Sequence, residues 1–475
     1  MIQPEKAVIE CFTGLVITAP AQFQLTLTPN NNGIKFALPG ASNEATAPVG
    51  PATLPIEASG SYEQLQPFLV RQGERSRVSK RLILCFDGMW DLPPDPGKQL
   101  PSSAIPDTQA THHSHSHSSP ATNVLRLYHS ILPWTQDGRA QQKWYDSGAD
   151  TPWFYRFRSG SFGYGIDQTI LHAYAYLAAT YEPGDELFIY GFSRGAYTAR
   201  SLVGLLTSSG LIPASLLHTD LVKRVREAAS HPSPSATTAT GLRQCLHAMI
   251  LDPSNQALDD AYRLYRKGHG DILAGIPTSA RWRGSLEVPI TLLGLWETVG
   301  PLGIPTNALK WLNDHRYNFH DTELSSIVRQ AYHALAIDEH RADHNATLWT
   351  SPACPGQTIE QRWFAGAHGD LGGTYPEREL ADVALAWLQR HSMEKGLAIE
   401  TRSVPLKPNA LSPIHDSFSE CFGKIRKWFH SRFYRPVMQT GTNTEVLDSS
   451  VHTRLIHTPH YRPKNEGLKS VLHFE

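Results

Sequence analysis

Apolar residues in this 475-residue chain gather into short uninterrupted runs, separated by polar stretches rich in Gly and Pro. From Arg81 the run Leu-Ile-Leu-Cys-Phe ends at Asp87-Gly88, the pattern of a buried parallel strand closing in a turn. Glu186 to Phe192 and Val288 to Trp296 repeat it, and Gln361 to Ala365 reads as a fourth strand. Between them the period changes to that of helices. Asn123 to Leu132 is one, and Ile166 to Tyr181 sets Ile170, Tyr174 and Leu177 on one face. Arg194 to about Ser209, Leu324 to Ile337 and Ala381 to His391 are the others predicted. Strands alternating with helices predict an α/β fold with a mostly parallel central sheet and flanking helices, and no internal repeat interrupts the order.

The polar stretches divide the chain. Residues 1–75 are rich in Pro, Ala, Thr and Asn between Ala19 and Gly60, and predict a loose N-terminal extension in which only Gln-Leu-Thr-Leu-Thr hints at a strand. Residues 76–400 form the expected catalytic domain, with insertions near 93–120 and 213–285. The second insertion carries an amphipathic piece around Ala257 to Arg266 and is expected over the carboxyl edge of the sheet as a cap. The first holds Thr-His-His-Ser-His-Ser-His, which reads as a solvated loop, so no metal or other cofactor is expected. Residues 401–475 form a C-terminal extension.

Chemistry enters at Gly191-Phe192-Ser193-Arg194-Gly195, between a strand and a helix. A strand that turns at once into a helix holds a serine in a cramped backbone conformation, and small residues two before and two after it let neighbouring backbone approach. The hydroxyl is left exposed at a helix N-terminus, where the N–H of Arg194 faces an oxyanion. A serine hydroxyl needs a base and an orienting acid, expected downstream in that order of acid, then histidine. Glu297 directly follows the third strand, and His368 follows the fourth in a Gly-rich turn. Glu297 also fits an exposed or capping carboxylate, and His368 a loop histidine, one of twenty-three. Asp370 and Asp338 are reserve acids. The turn at Gly88 and Met89 is expected to give the second oxyanion donor, although Asp87-Gly88 also fits a plain tight turn.

Several phrases, in order, resemble one family. Cys-Phe-Asp-Gly-Met-Trp-Asp at 85–91, Thr122-Asn123-Val124, Gly-Asp-Glu-Leu-Phe-Ile-Tyr-Gly-Phe-Ser-Arg-Gly-Ala-Tyr-Thr-Ala-Arg at 184–200, Leu-Gly-Leu-Trp-Glu-Thr-Val-Gly, His-Ala-Leu-Ala-Ile-Asp-Glu at 333–339 and Trp-Phe-Ala-Gly-Ala-His-Gly-Asp-Leu-Gly-Gly are similar to segments of the α/β-hydrolase family of type VI secretion phospholipase effectors. The resemblance spans roughly residues 80 to 393. It implies Ser193 as nucleophile, His368 as base and Glu297 where the family usually has an aspartate, with Met89 and Asp91 also departing from its first turn. It implies a serine esterase acting on phospholipid acyl chains as a phospholipase A, a membrane surface as partner, and a secretion-apparatus, adaptor or immunity protein. The alternatives are an esterase for other esters or a binding module on a hydrolase fold. A phosphatase of the haloacid dehalogenase kind wants a second aspartate where Met89 stands.

Composition adds limits. Forty-three Lys and Arg against forty-four Asp and Glu give a net charge of −1, so no global field draws nucleic acid. Five scattered cysteines form no framework, and the N-terminus, with Glu5, Lys6 and Glu10, does not read as a cleavable signal, so synthesis in the cytoplasm and, for a secreted effector, a signal-independent route are expected. One basic amphipathic stretch stands out. From Phe422 to Arg435, helical spacing sets Phe422, Ile425, Phe429 and Phe433 on one face and Lys424, Lys427, Ser431 and Arg435 opposite. It fits docking on anionic lipid, or a surface helix whose apolar face packs on the core.

Overall fold

The computed structural model describes residues 6–10, 16–20, 26–30, 33–37, 45–47, 79–88, 121–148, 164–231, 236–271, 285–299, 323–402, 404–420 and 431–468. The chain divides into two compact units, residues 1–79 with 136–139, and the remainder. In the first, β1 (Lys6–Glu10) pairs antiparallel with β2 (Val16–Pro20), and β3 (Thr26–Asn30), β4 (Gly33–Ala37) and β5 (Ala45–Ala47) form an antiparallel three-stranded sheet. Where the composition predicted one hinted strand in a loose extension, five short strands pair, and β3 overlaps the hint.

The second unit is built on a seven-stranded sheet whose neighbours are all parallel. Its strands are β6 (Arg81–Phe86), β7 (Gln141–Asp146), β8 (Glu186–Phe192), β9 (Ile290–Trp296), β10 (Gln330–Ala336), β11 (Thr358–Phe364) and β12 (Glu445–Leu447), in the spatial order β12-β11-β10-β9-β8-β6-β7. The apolar runs follow from burial on both faces. Leu82, Leu84, Leu187 and Ile189 point to one layer, while Ile83, Cys85, Phe188 and Tyr190 point to the other, as the period of two requires. The first layer packs on α2 (Tyr164–Thr180) and α3 (Arg194–Ser209) through Leu177, Leu202 and Leu206. The second packs on α1 (Asn123–Ser130) and α8 (Glu379–Glu394) through Leu127, Leu385 and Leu388.

The helix predicted over Leu324 to Ile337 is corrected: its second half is β10, in the middle of the sheet. Ala, Leu and His favour helix locally, but Ala331, Ala334, Leu335 and Ala336 are buried between two helical layers, where only a ladder satisfies the backbone.

The insertion after α3 leaves and re-enters near the amino end of β9, where an antiparallel bridge joins Leu211 to Leu286. Its helices α4 (Thr219–Ala229), α5 (Ala236–Leu251) and α6 (Gln256–Asp271) pack on α2 and α3, with Arg243 reaching Asp146 at the carboxyl end of β7. In its described part the insertion thickens one helical layer.

The C-terminal stretch also departs from expectation. Instead of a separate extension it supplies edge strand β12 and α9 (Ser449–His457), and Val437, Val451 and Leu468 join Leu335 and Trp363 in one core. Of the expected amphipathic helix, Phe422, Lys424, Ile425, Lys427 and Phe429 lie outside the described residues. Residues 431–435 are not helical; the Phe433 N–H donates to the His340 carbonyl, and Arg435 is buried.

Candidate active site

In a parallel sheet every strand ends at the same edge, and here β8, β9 and β11 deliver Ser193, Glu297 and His368 to it within a few residues of their last ladder positions. Ser193 caps α3 with φ 55° and ψ −117°, a conformation that costs a non-glycine residue about 1–3 kcal/mol. Its N–H donates to the Trp296 carbonyl at 3.0 Å, and its own carbonyl accepts from Tyr197 N–H at 3.2 Å, so the strained turn is pinned on both sides.

The flanking glycines are steric requirements. A Cβ on Gly195 would lie 2.2 Å from the Phe86 carbonyl oxygen, and one on Gly191 would lie 2.6 Å from the Gly195 oxygen. The first turn is pressed against the serine: a Cβ on Gly88 would stand 2.7 Å from Ser193 Cβ. The turn predicted to face an oxyanion thus lies against Ser193. The Gly88 N–H is already given to Asp87 Oδ1 at 2.7 Å. Met89 lies outside the described residues. Arg194, whose N–H opens α3, extends its guanidinium toward the Gly88 carbonyl at 3.5 Å.

Asp87 anchors this turn from below. It accepts from Thr122 Oγ1 and from the Tyr145 hydroxyl at 2.7 Å, and burial pushes its carboxyl up to about 6 against the pull of those bonds. Asn123 donates to the carbonyls of Leu371 and Ala381, both at 2.8 Å, tying the start of α1 to the histidine turn. The Thr-Asn-Val phrase therefore braces two loops of one edge.

His368 opens the short helix α7 (His368–Gly372) and is fully buried. Its Nδ1 meets Glu297 Oε2 at 3.1 Å, its ring packs on Phe192 with centroids 4.8 Å apart, and its main-chain N–H donates to Glu339 Oε2 at 3.2 Å. The carboxylate across from Nδ1 assigns the proton to that nitrogen. A Cβ on Gly372 would overlap the Phe192 ring at 2.0 Å, so a glycine there lets the histidine turn seat against the elbow.

Glu297 is not the exposed or capping carboxylate that its position also allowed; it is fully buried, with φ 50°. Oε1 accepts from Ala336 N–H at 2.7 Å and Arg435 Nη1 at 2.8 Å, and Oε2 from Arg435 Nη2 at 2.9 Å as well as facing His368. Burial by itself raises this carboxyl, but the Arg435 charge and the bonds from His368 and Arg435 outweigh it and hold the group at about 2. Behind it His333 is buried and held down to about 3, first by burial and then by the Arg200 charge, so its neutral Nε2 accepts from Thr298 N–H at 3.1 Å.

The reserve acids do not reach the histidine ring. Asp338 accepts from Gly366 N–H at 2.8 Å and the Tyr461 hydroxyl at 2.9 Å, while Asp370 accepts from Ala367 N–H at 2.9 Å and meets His415 Nδ1 at 2.6 Å. Both shape the loop. Two charged residues beside the site were given no part in it by the sequence: Glu339, held well down despite burial by Arg341 and bonded to Ser417, and Arg435, expected on the polar face of a surface helix. Glu339 ends His-Ala-Leu-Ala-Ile-Asp-Glu at 333–339, whereas the basic run around Arg435 pointed to solvent. Among the described residues no group of His, Cys, Asp and Glu could hold a metal, and the His-rich tract lies outside them.

A parallel sheet, a serine in a left-handed elbow at a helix N-terminus, and a carboxylate–histidine pair on the same edge define the α/β-hydrolase class. The chain belongs to the family described as type VI secretion system phospholipase effector, Tle1-like, catalytic domain, whose model matches residues 80–391. It is also 23% identical over 308 residues to the uncharacterized protein YEL023C of Saccharomyces cerevisiae, a match covering 59% of this chain and 34% of that one. The chain thus aligns with about a third of the length of that relative.

Proposed function

We propose that this chain is a serine hydrolase that cleaves phospholipid acyl esters as a phospholipase A, with Ser193 as nucleophile, His368 as base and Glu297 as orienting acid. The observation that carries the reading is the strained Ser193 at the start of α3, beside a buried Glu297–His368 pair on the same sheet edge. Ser193 Oγ attacks the ester carbonyl carbon as His368 Nε2 takes its proton, and Glu297 stabilises the resulting imidazolium through Nδ1–H. The oxyanion accepts from the N–H of Arg194 at the positive end of α3. Collapse breaks the acyl C–O bond, and the lysolipid oxygen leaves with the proton from His368. Water, deprotonated by the same nitrogen, then frees the fatty acid and Ser193.

The family description supports lipid as the substrate class and an effector role, with a membrane surface and a secretion, adaptor or immunity protein as partners. The test is acyl release from phospholipids labelled separately at the first and second acyl positions, beside short soluble esters, for wild type and Ser193→Ala. Labelled fatty acid from wild type alone, with fluorophosphonate capture at Ser193, is the expected result. Turnover of soluble esters only redirects the substrate to other esters; no capture and no turnover leave a binding module.

A further inference from the structure

Arg435 lies beyond residues 80–391, the span of the family's catalytic domain, yet only 1% of it is exposed and its guanidinium sits in the candidate site. It meets both oxygens of Glu297, at 2.8 and 2.9 Å. It also donates to the Ala336 carbonyl at 2.8 Å and to that of His344, and its own carbonyl accepts from Asn465 at 2.9 Å. The arginine is therefore fixed before it fixes anything else.

A glutamate in the acid position has one more rotatable bond than an aspartate, so its carboxylate plane needs an external hold to keep one oxygen on the imidazole. A planar fork giving two parallel bonds supplies that hold, which a lysine point charge does not. We propose that Arg435 is a positioning residue lent to the site by the C-terminal segment: it holds the Glu297 carboxylate plane against His368 Nδ1 and balances its charge. The proposal rests on the reading of Ser193, His368 and Glu297 as a triad.

The charge balance is specific. Two carboxylates, Glu297 and Glu339, meet His368, the first paired with Arg435 and the second with Arg341; the His344 ring stands edge-on at 5.3 Å, with His333 and Arg200 behind Glu297. Taking away Arg435 removes a cation next to His368 and leaves the Glu297 charge on Nδ1 uncompensated, which favours the charged form of the ring and moves its titration upward.

The experiment uses the full chain as wild type, Arg435→Met, Arg435→Lys and Ser193→Ala. Readouts are melting temperature, kcat and KM against pH on labelled phospholipid, and titration of the His368 ring by carbon-13 histidine NMR, assigned with His368→Gln. Arg435→Met is expected to lose about 100-fold in kcat with KM within about threefold, while the acid limb and the His368 titration move up by about one pH unit. Arg435→Lys keeps the charge but not the fork, so its titration stays near wild type while kcat falls roughly tenfold. A folded Arg435→Met with wild-type kcat and an unmoved titration overturns the proposal. If that variant does not fold, Arg435→Lys at wild-type kcat overturns it. Should wild type neither turn over lipid nor take a fluorophosphonate, the hydrolase reading fails, and the His368 titration still decides what Arg435 does.

Discussion

Replacing Glu297 with glutamine keeps the shape of the side chain and removes one charge from a fully buried site. A carboxyl held at about 2 against its ordinary 4.5 favours the folded state by roughly 3 kcal/mol at neutral pH. From the other partner's side, the amide leaves the buried Arg435 cation with neutral acceptors only, and breaking a buried pair on one side costs a similar amount, about 3–5 kcal/mol, which is the same interaction counted once. Glu297→Gln should therefore melt about 6–12 °C below wild type at pH 7. Because the folded carboxyl is depressed, its contribution is complete above the unfolded value near 4.5 and fades as pH falls toward 2, so the gap in melting temperature narrows from pH 5 to pH 3. Calorimetry across that range reads both effects. Catalysis should fall by about 10³–10⁴, since the imidazolium loses its counter-charge and preferred tautomer. The double variant Glu297→Gln/Arg435→Met regains stability without regaining activity. A melting temperature within 1 °C of wild type, or kcat within about tenfold, refutes the reasoning.

Three further outcomes follow from the same edge. Gly195→Ala drives a Cβ to within 2.2 Å of the Phe86 oxygen and should lose about 3 kcal/mol or more in urea unfolding; an unchanged midpoint shows that the elbow relaxes. Asn123→Ala deletes two buried bonds of 2.8 Å and should cost about 2–3 kcal/mol by the same assay, with no loss counting against the brace. Asp338 is raised by burial to about 6, so its neutral form suits the fold and that benefit is lost as pH rises through 6. Asp338→Asn should accordingly melt at or above wild type at pH 8 and keep kcat/KM within about threefold; a loss like that of Glu297→Gln would make Asp338 the acid.

The strands β6, β8, β9 and β11 and the elbow were legible because burial on both faces writes an uninterrupted apolar run, and glycine marks the places where backbones touch. β10 was misread since Ala-Tyr-His-Ala-Leu-Ala has the composition of a helix and only its neighbours make it a strand. β7 and β12 are edge strands, partly exposed, and β12 is only three residues long, so they carry little apolar signal. At the site, Ser193, Glu297 and His368 announced themselves by following strands. Arg435 could not, because a guanidinium destined for a buried carboxylate looks in sequence like any other member of a basic run. The Gly88 amide was assigned to an oxyanion by its position, but its bond to Asp87 depends on a side-chain rotation that spacing does not encode.

The late place of Arg435 and β12 in the chain orders events during synthesis. When His368 leaves the ribosome, Ser193, Glu297 and His368 have all been made, but Glu297 has no anchoring cation and β11 has an open flank. A chain cut short before residue 435 therefore carries Ser193, Glu297 and His368 and lacks the guanidinium on Glu297. On the proposed triad, synthesis past Arg435 and β12 is itself a checkpoint on the site.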